Sequence, residues 1–211
     1  FSSTGWLSSE TTSRTCVFDK GNLPGTVLDD AKKQLIKNAK VLMVDGNDLN
    51  CAVEAAAFAR QNGVLVLYDA GGLYEGIERL LPLCDILIPS EEFALAVSGQ
   101  PTAEQAAKTL FLRYSPKVVV ITQGKRGGIL FDGEQLTDYP IYPAKVVDSN
   151  GAGDVFHGAF AAGLVLGYSY LKCCHFASAV SGLKCTGVGA RESVPDFNTV
   201  KDYLRRNGYE L

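Results

Sequence analysis

Long apolar stretches and an excess of basic charge are both missing from this sequence of 211 residues. A membrane-spanning helix needs about 20 consecutive apolar residues. The longest candidate, residues 158–171, is shorter and contains Tyr and Ser. The 20 Lys and Arg residues are balanced by 23 Asp and Glu residues, which gives a pI of about 5.4. We therefore expect neither a membrane nor a nucleic acid as a partner.

Metal-ligating and disulfide patterns are also scarce. The chain has two His and six Cys residues, and no two Cys residues form a C-x-x-C pair, so we expect no zinc site. Six Cys residues are too few for a secreted disulfide scaffold of this length, which favours reduced thiols in the core. The fingerprints G-x-G-x-x-G and G-x-x-x-x-G-K-[ST] are absent, which weakens the Rossmann and P-loop interpretations.

The composition that remains is typical of a globular protein. A hydrophobic fraction of 46% and a charged fraction of 20% are sufficient for a buried core. The sequence begins at Phe1 instead of Met and shows no signal-peptide pattern. We therefore expect it to be a piece of a longer protein.

Apolar runs alternate with helical patterns through the first part of the chain. After a short β-type run at 15–18, strands are predicted at 40–44, 64–68, 85–88 and 117–122. Helices are predicted at 28–39, 49–61, 74–81 and from Ser90 and Thr102. Strands that are apolar throughout indicate burial on both faces, and hence a parallel sheet covered by helices.

Several of these strands end at a residue that suits a ligand site. Asp45, Asp69 and Gly124 follow strands at the edge where open α/β sheets bind ligands, although each one alone is more simply a turn residue. Farther along the chain, residues 127–136 predict a hairpin with a D-G turn, and Lys145–Val147 predicts one more strand. The last part is predicted to be helical at 152–167, 169–186 and 197–206.

The most informative segment is a glycine-rich turn that opens a helix at residues 146–160. The first turn of a helix has main-chain amides without partners and carries partial positive charge. Gly151, Ala152 and Gly153 have almost no side chain, so an anion can approach these amides closely. The segment therefore predicts a phosphate-binding cradle.

Asp154 follows this cradle within the same helical turn. A carboxylate repels a bound phosphate, but it has a use if it takes a proton from a nucleophile that attacks the phosphorus. The alternative is that Asp154 only complements the helix dipole, as acidic residues often do at a helix N-terminus.

Three segments resemble the PfkB/ribokinase family of carbohydrate kinases. Residues 148–156, DSNGAGDVF, resemble its C-terminal signature, and residues 121–127, ITQGKRG, resemble its nucleotide-binding turn. Residues 187–190 with 193–195 resemble its late adenine-side loop. The resemblance extends from about Leu28 to the end. It implies an α/β protein with a three-layer α/β/α ribokinase-like fold and a mostly parallel central sheet.

The resemblance also assigns roles to residues. It implies that Asp154 is the catalytic base and that the main chain of Gly151, Ala152 and Gly153 forms the anion hole. The nucleotide, ATP with Mg²⁺, would lie against Thr122, Gly124, Gly127, Ser90, Gly187 and Gly189. Many members of the family bind a monovalent cation such as K⁺, for which the matching residues are Asp148, Asn150 and Ser193 in the vicinity of the 187–189 loop.

Two departures from the family pattern are evident. Residues 90–93, SEEF, stand where the family often has Asn-x-x-Glu, and Ser90 resembles the ketohexokinase-like branch. Glu91 or Glu92 could substitute in organising magnesium, although Ser90 as a helix N-cap followed by acidic residues is the plainer interpretation. The N-terminal strands, the acceptor-contacting Asp and Gly-Gly residues and most of the β-lid are not recognisable. Residues 13–18 resemble a last lid strand, so we assign 1–24 to a lid remnant and connector and 25–211 to the catalytic core.

These observations predict ATP-dependent phosphoryl transfer to a hydroxyl of a sugar or sugar-like molecule. A nucleoside or a phosphorylated sugar stays open as the acceptor, and so does a non-catalytic nucleotide-binding or regulatory protein on a kinase scaffold. The lid strand of this family often forms a dimer contact, so the resemblance leaves a homodimer open. We expect a cytoplasmic protein, and import into an organelle stays open as well. His157 and His175 are interpreted as packing residues, and Lys125 and Arg126 as either phosphate contacts or solvated turn residues.

Overall fold

The computed structural model describes residues 2–7, 14–19 and 21–211. At its start, strand β1 (Ser2–Leu7) pairs antiparallel with strand β2 (Arg14–Asp19), so that Ser2 faces Asp19 and Leu7 faces Arg14. Strand β2 confirms the β-type run predicted at 15–18 and contains most of the expected lid strand, of which Ser13 lies outside the described residues. Strand β1 was not predicted.

A six-stranded sheet forms the centre of the fold, in the order β3-β4-β5-β6-β7-β8. Strands β3 to β6 run parallel, and β7 and β8 are antiparallel additions. Their bounds are Val41–Val44 (β3), Leu65–Ala70 (β4), Ile86–Pro89 (β5), Val118–Thr122 (β6), Gly128–Phe131 (β7) and Leu136–Tyr139 (β8). The expected parallel sheet and the hairpin are confirmed, with the turn of the hairpin at residues 132–135.

The helices begin and end close to the positions that the sequence predicts. Their bounds are Asp30–Asn38 (α1), Leu49–Gln61 (α2), Glu91–Ser98 (α3), Ala103–Tyr114 (α4), Ala152–Val165 (α5), Tyr170–Lys184 (α6) and Phe197–Arg206 (α7). Ser90 and Thr102 cap α3 and α4 with side-chain oxygens that accept from main-chain amides. Among the described residues, none of the helices has both the length and the apolar character to cross a membrane.

Helices cover both faces of the sheet, so the molecule has two cores. Alternate strand residues such as Val66 and Leu87 face α1 to α4 on one side. Their neighbours Leu67 and Ile86 face α5, α6 and α7 on the other. The arrangement has three layers, α/β/α, as expected, because strands buried on both faces need a helical layer on each side.

Two predicted elements are wrong. Lys145–Val147 is not a strand: Val146 and Val147 are exposed, and the amides of Val147 and Asp148 donate to Cys185 O at the end of α6. The β-branched side chains suited a strand, but no sheet neighbour is available there.

The predicted helix at 74–81 is also replaced, by two short 3₁₀ turns at Ile77–Arg79 and Leu81–Leu83. Gly76 precedes the first turn with a φ of +80°, and Pro82, which has no amide hydrogen, lies in the second. A continuous α-helix is interrupted at both places.

Two glycines of α5 differ in how closely they pack against α6. A methyl group on Gly163 would lie 2.9 Å from the Cys173 sulfur, whereas one on Gly158 would meet no atom within 4 Å. Gly163→Ala should lower the free energy of unfolding by about 1–3 kcal/mol through overpacking. Gly158→Ala should raise it by roughly 0.5–1 kcal/mol, since alanine favours the helix. Urea denaturation of both variants checks this. Equal effects would contradict the packing described here.

Candidate active site

The turn that leads into α5 is fixed by a close approach to a second loop. Gly151 has a φ of +74°, a left-handed conformation that favours glycine. A methyl group at this position would lie 2.9 Å from the Cβ of Ala190. Two of the segments singled out in the sequence, the turn at 148–153 and the loop at 187–193, are therefore in direct contact.

Main-chain amides at the start of α5 are available for a ligand. The Ala152 amide donates to Ser149 O at 3.2 Å, and the Val155 amide donates to Gly151 O at 2.9 Å. Within the described part of the chain, the amides of Gly151, Gly153 and Asp154 donate to no protein atom. The amides without a partner are thus those of Gly151, Gly153 and Asp154, because Ala152 uses its amide in a turn. The phosphate cradle predicted at 151–153 stays a prediction.

Asp154 stands at a cavity of about 500 Å³ at the carboxyl edge of the sheet. Its side chain is exposed, and no described residue donates a hydrogen bond to its carboxylate. Asp45 and Asp69, which follow β3 and end β4, line the same cavity. The carboxyl ends of the parallel strands therefore meet the N-terminus of α5, as expected for ligand sites in open α/β sheets.

His157, one turn along α5, connects this helix to the sheet. The side chain is buried, its Nδ1 lies 2.7 Å from Gly153 O, and its Nε2 lies 2.9 Å from Ile88 O. Carbonyl oxygens only accept, so the ring donates to these oxygens through a nitrogen that carries a hydrogen. The Asp69 carboxylate also lies 3.3 Å from Nδ1. The interpretation of His157 as a packing residue therefore missed its polar partners.

The surroundings of Asp69 shift its pKa in opposite directions. Burial raises the pKa of Asp69, the His157 imidazole lowers it, and the carboxylates of Asp154 and Asp45 raise it further. The net shift of the pKa is upward, and burial is its largest cause. Asp69 was noticed in the sequence only as a strand-end residue, and its partner on α5 could not be read from their separation along the chain.

Two main-chain oxygens of the 148–150 turn accept hydrogen bonds from a buried lysine. The Lys184 side chain is fully buried, and its Nζ donates to Asp148 O at 2.9 Å and to Asn150 O. The Asp148 carboxylate accepts from the amides of Asn150 at 2.9 Å and Gly189 at 3.0 Å. Sequence reasoning missed Lys184, because a Lys in the last turn of a helix usually lies in solvent and complements the dipole.

The predicted nucleotide turn lies at the end of the next parallel strand. Thr122 ends β6 and forms a bridge with Ser90, and the Gln123 amide donates to Gly127 O at 2.8 Å across the turn. Gly124 has a φ of +57° and Gly127 a φ of +83°. A methyl group on Gly127 would lie 2.2 Å from Tyr139 O, so only glycine fits there.

Charged residues beside this turn contact each other. Arg126 forms an ion pair with Glu91 on α3, and the Gln123 side-chain amide donates to Glu91 Oε1 at 2.7 Å. Ser90 accepts from the Phe93 amide at 3.2 Å, which confirms the helix N-cap interpretation of residues 90–93. Glu91 is thus engaged by the nucleotide turn in this structure.

Comparisons with known proteins agree with this geometry. Residues 4–196 match the sequence profile described as pfkB family carbohydrate kinase. The chain belongs to the pfkB family of carbohydrate kinases. It is 34% identical over 188 residues to an ATP-dependent 6-phosphofructokinase of Thermoanaerobacterium thermosaccharolyticum, covering 82% of this chain and 58% of that protein.

Ribokinases are similar to this pfkB family member in sequence and in fold. A ribokinase of Arabidopsis thaliana is 32% identical over 189 residues, covering 85% of this chain and 49% of that protein. A solved structure of Arabidopsis thaliana ribokinase with ribose and ATP superimposes with a TM-score of 0.81 at 27% identity, covering 96% of this chain and 68% of the other. The expected ribokinase-like fold is confirmed. The chain spans about half the length of the curated relatives it matches.

The pfkB family implies a divalent and a monovalent cation. The residues of this chain suit the divalent ion better than the monovalent one. Magnesium in nucleotide sites usually takes one or two carboxylates together with phosphate oxygens, and Asp69 and Asp154 line one cavity. Two of the expected monovalent-cation oxygens, Asp148 O and Asn150 O, already accept from Lys184. The hydroxyl of Ser193, the third expected residue, donates to Gly189 O at 2.8 Å. The Lys184 ammonium is also a like charge beside them, so this turn does not fit a monovalent metal ion.

Removal of the His157 contacts is expected to loosen the start of α5. His157→Leu removes the side-chain contacts to Gly153 O and Ile88 O and places an apolar side chain beside the Asp69 carboxylate, which should lower the free energy of unfolding by about 2–4 kcal/mol. His175→Leu is the matched control, because His175 contacts one hydroxyl, that of Tyr142 at 2.6 Å. It should cost about 1 kcal/mol. Chemical denaturation measures both. If His157→Leu costs no more than the control, the bridging role described here is wrong.

Proposed function

We propose that this chain catalyses transfer of the γ-phosphoryl group of ATP to a hydroxyl of a sugar or sugar-like molecule. One observation carries the proposal: the Asp154 carboxylate lies at the cavity beside amides that no described protein atom occupies. The Arabidopsis ribokinase of similar fold was solved with ribose and ATP, which supports the same pair of substrate classes here.

The chemistry divides between a base and an electrostatic clamp. The Asp154 carboxylate takes the proton of the acceptor hydroxyl, and the acceptor oxygen forms a bond to the γ-phosphorus. The bond between that phosphorus and the β–γ bridging oxygen breaks, and ADP leaves with the electron pair. The amides of Gly151, Gly153 and Asp154, with the positive end of the α5 dipole, stabilise the charge on the equatorial phosphoryl oxygens.

The nucleotide would extend from this clamp along the sheet edge. The turn at Gly124–Gly127, together with Thr122 and Ser90, forms the neighbouring end of the parallel strands. Its glycines let the main chain approach phosphate and ribose closely. Gly187 and Gly189, on the loop that packs against Gly151, are assigned to the adenine side.

Magnesium belongs to this proposal as the ion that accompanies the nucleotide. Asp69 is the residue that would meet it, because its carboxylate lines the same cavity as that of Asp154. When bound, it neutralises phosphate charge that would otherwise repel these two carboxylates. Glu91 is already paired with Arg126, so we assign it to the support of the nucleotide turn.

The acceptor cavity is acidic, which narrows the acceptor class. Asp45, Asp48, Asp69 and Asp154 line it, and none of the described lining residues is Lys or Arg. Carboxylates accept hydrogen bonds from hydroxyls, whereas they repel a phosphate group. We therefore favour a neutral polyhydroxylated acceptor over a phosphorylated sugar.

The homodimer and the compartment also stay proposals. Trp6 and Val17 of the β1–β2 sheet are 56% and 58% exposed, and they offer apolar surface that a second copy would cover. The cytoplasmic location stays a prediction from the family resemblance.

Replacement of the base is the direct test of the proposed reaction. Asp154→Asn keeps the shape of the side chain but cannot take the proton, so kcat should fall about 10²–10⁴-fold. ATP affinity should stay within about threefold, because binding energy and proton transfer are separate. Steady-state assays coupled to ADP release and calorimetric titration with ATP measure the two quantities.

Asp202→Asn is the matched control, since Asp202 lies on α7 and pairs with Arg205 on the surface. It should leave both quantities unchanged. Retention of most activity by Asp154→Asn would contradict the assignment of the base. ATP binding by the wild-type protein without transfer to any acceptor in a broad panel would favour the non-catalytic scaffold instead.

Acceptor charge can be tested with matched pairs of substrates. The value of kcat/KM for fructose or ribose should exceed that for the corresponding phosphorylated sugar by at least about 100-fold, because of repulsion in the cavity. The coupled ADP assay measures each pair at fixed ATP. A preference for the phosphorylated member would contradict the proposed acceptor class.

A further inference from the structure

Lys184 is a fully buried cation directly behind the proposed anion hole. It lies in the last turn of α6, and its Nζ donates to the main-chain oxygens of Asp148 and Asn150. Burial of a lysine side chain is costly in free energy unless polar partners compensate its ammonium group. Among the described residues, the only oxygens that accept from its ammonium belong to the turn that presents the proposed phosphoryl-binding amides.

The contact with Asn150 determines where the next amide points. A trans peptide is planar, and its C=O and N–H point in opposite directions. Because Asn150 O is directed at Lys184, the Gly151 amide of the same peptide group is directed away from it. That amide donates to no atom of the described chain. Lys184 therefore holds the Gly151 amide as a free donor and adds positive charge behind it.

A monovalent metal ion would serve the same two purposes at this turn. It would gather carbonyl oxygens on one side and place a positive charge behind the amides on the other. The main-chain oxygens of Asp148 and Asn150 that would bind it already accept from Lys184, however, and the Asp148 carboxylate accepts from the Gly189 amide. An ion bound to Asn150 O would also lie close to the Lys184 ammonium, and the two like charges would repel each other.

We propose that Lys184 is the resident cation of the anion-hole turn, and that nucleotide binding and phosphoryl transfer by this chain need no monovalent metal ion. Lys184 is a positioning residue, since it acts through the main chain of residues 148–151. The catalytic part of the inference rests on the proposed function. The part that concerns nucleotide affinity and the turn does not.

The first test exchanges the cation around the wild-type protein. KCl and tetramethylammonium chloride are compared at equal ionic strength, with ADP affinity by calorimetry, the melting temperature and kcat as readouts. Each affinity and rate should change by less than about twofold, because the ammonium is built in. A rise of about tenfold or more in ADP affinity or kcat with K⁺ would overturn the proposal. Affinity and melting temperature remain informative even if no acceptor is phosphorylated.

The second test removes the charge and keeps the aliphatic stem. Lys184→Met should weaken ADP binding by about tenfold or more in tetramethylammonium, and K⁺ or NH₄⁺ should restore part of that loss. Lys172→Met is the matched control on the same helix, since the Lys172 ammonium lies 4.7 Å from the Tyr168 ring centroid. It should be indifferent to both cations.

Two results would overturn the assignment: a Lys184→Met variant that binds ADP as the wild type does, or one whose loss neither cation reduces. Rescue by a small cation separates a charge requirement from a merely structural defect. If Lys184→Met does not fold, the wild-type cation exchange decides the question alone.

Discussion

The proposed chemistry depends on a turn whose carbonyl oxygens accept hydrogen bonds from the protein on one side, while its amides have no protein partner on the other. Lys184 binds the carbonyl oxygens of residues 148 and 150, and the Asp148 carboxylate holds the loop at Gly189. Peptide planarity then directs the Gly151 amide the other way. In a flexible turn, the same oxygens and amides would bond to one another or to water. The amides would then have to be reoriented before they could stabilise a phosphoryl group.

The same preorganisation extends from the turn to the sheet. His157 links Gly153 O at the start of α5 to Ile88 O at the end of β5, with Asp69 beside it. These contacts join the start of α5, which carries Asp154, to the carboxyl edge of the parallel strands. Asp154 itself has no donor among the described residues, which leaves its carboxylate available to an acceptor hydroxyl.

Local signals explain which parts were predictable from the sequence. Helix α2 and helix α7 were predicted at their observed bounds, and so were the Ser90 cap and the helix start at Thr102, because periodicity and capping depend on near neighbours. The glycine-rich turn that opens α5 was recognised from its spacing, and its role as a phosphate cradle stays a prediction. Lys184 and the pair Asp69–His157 were not found, since their roles come from contacts between residues 34 to 88 positions apart. The failed strand at Lys145–Val147 has the same origin: a β-type sequence needs a neighbouring strand.

A crystal structure of the protein with ADP, Mg²⁺, a metal fluoride that mimics the transferred phosphoryl group and a neutral sugar would test the central claim most directly. We predict fluorine atoms about 2.7–3.1 Å from the amides of Gly151, Gly153 and Asp154. An acceptor hydroxyl should lie about 2.6–3.2 Å from the Asp154 carboxylate. A fluoride bound elsewhere, or an acceptor hydroxyl out of reach of Asp154, would contradict the account.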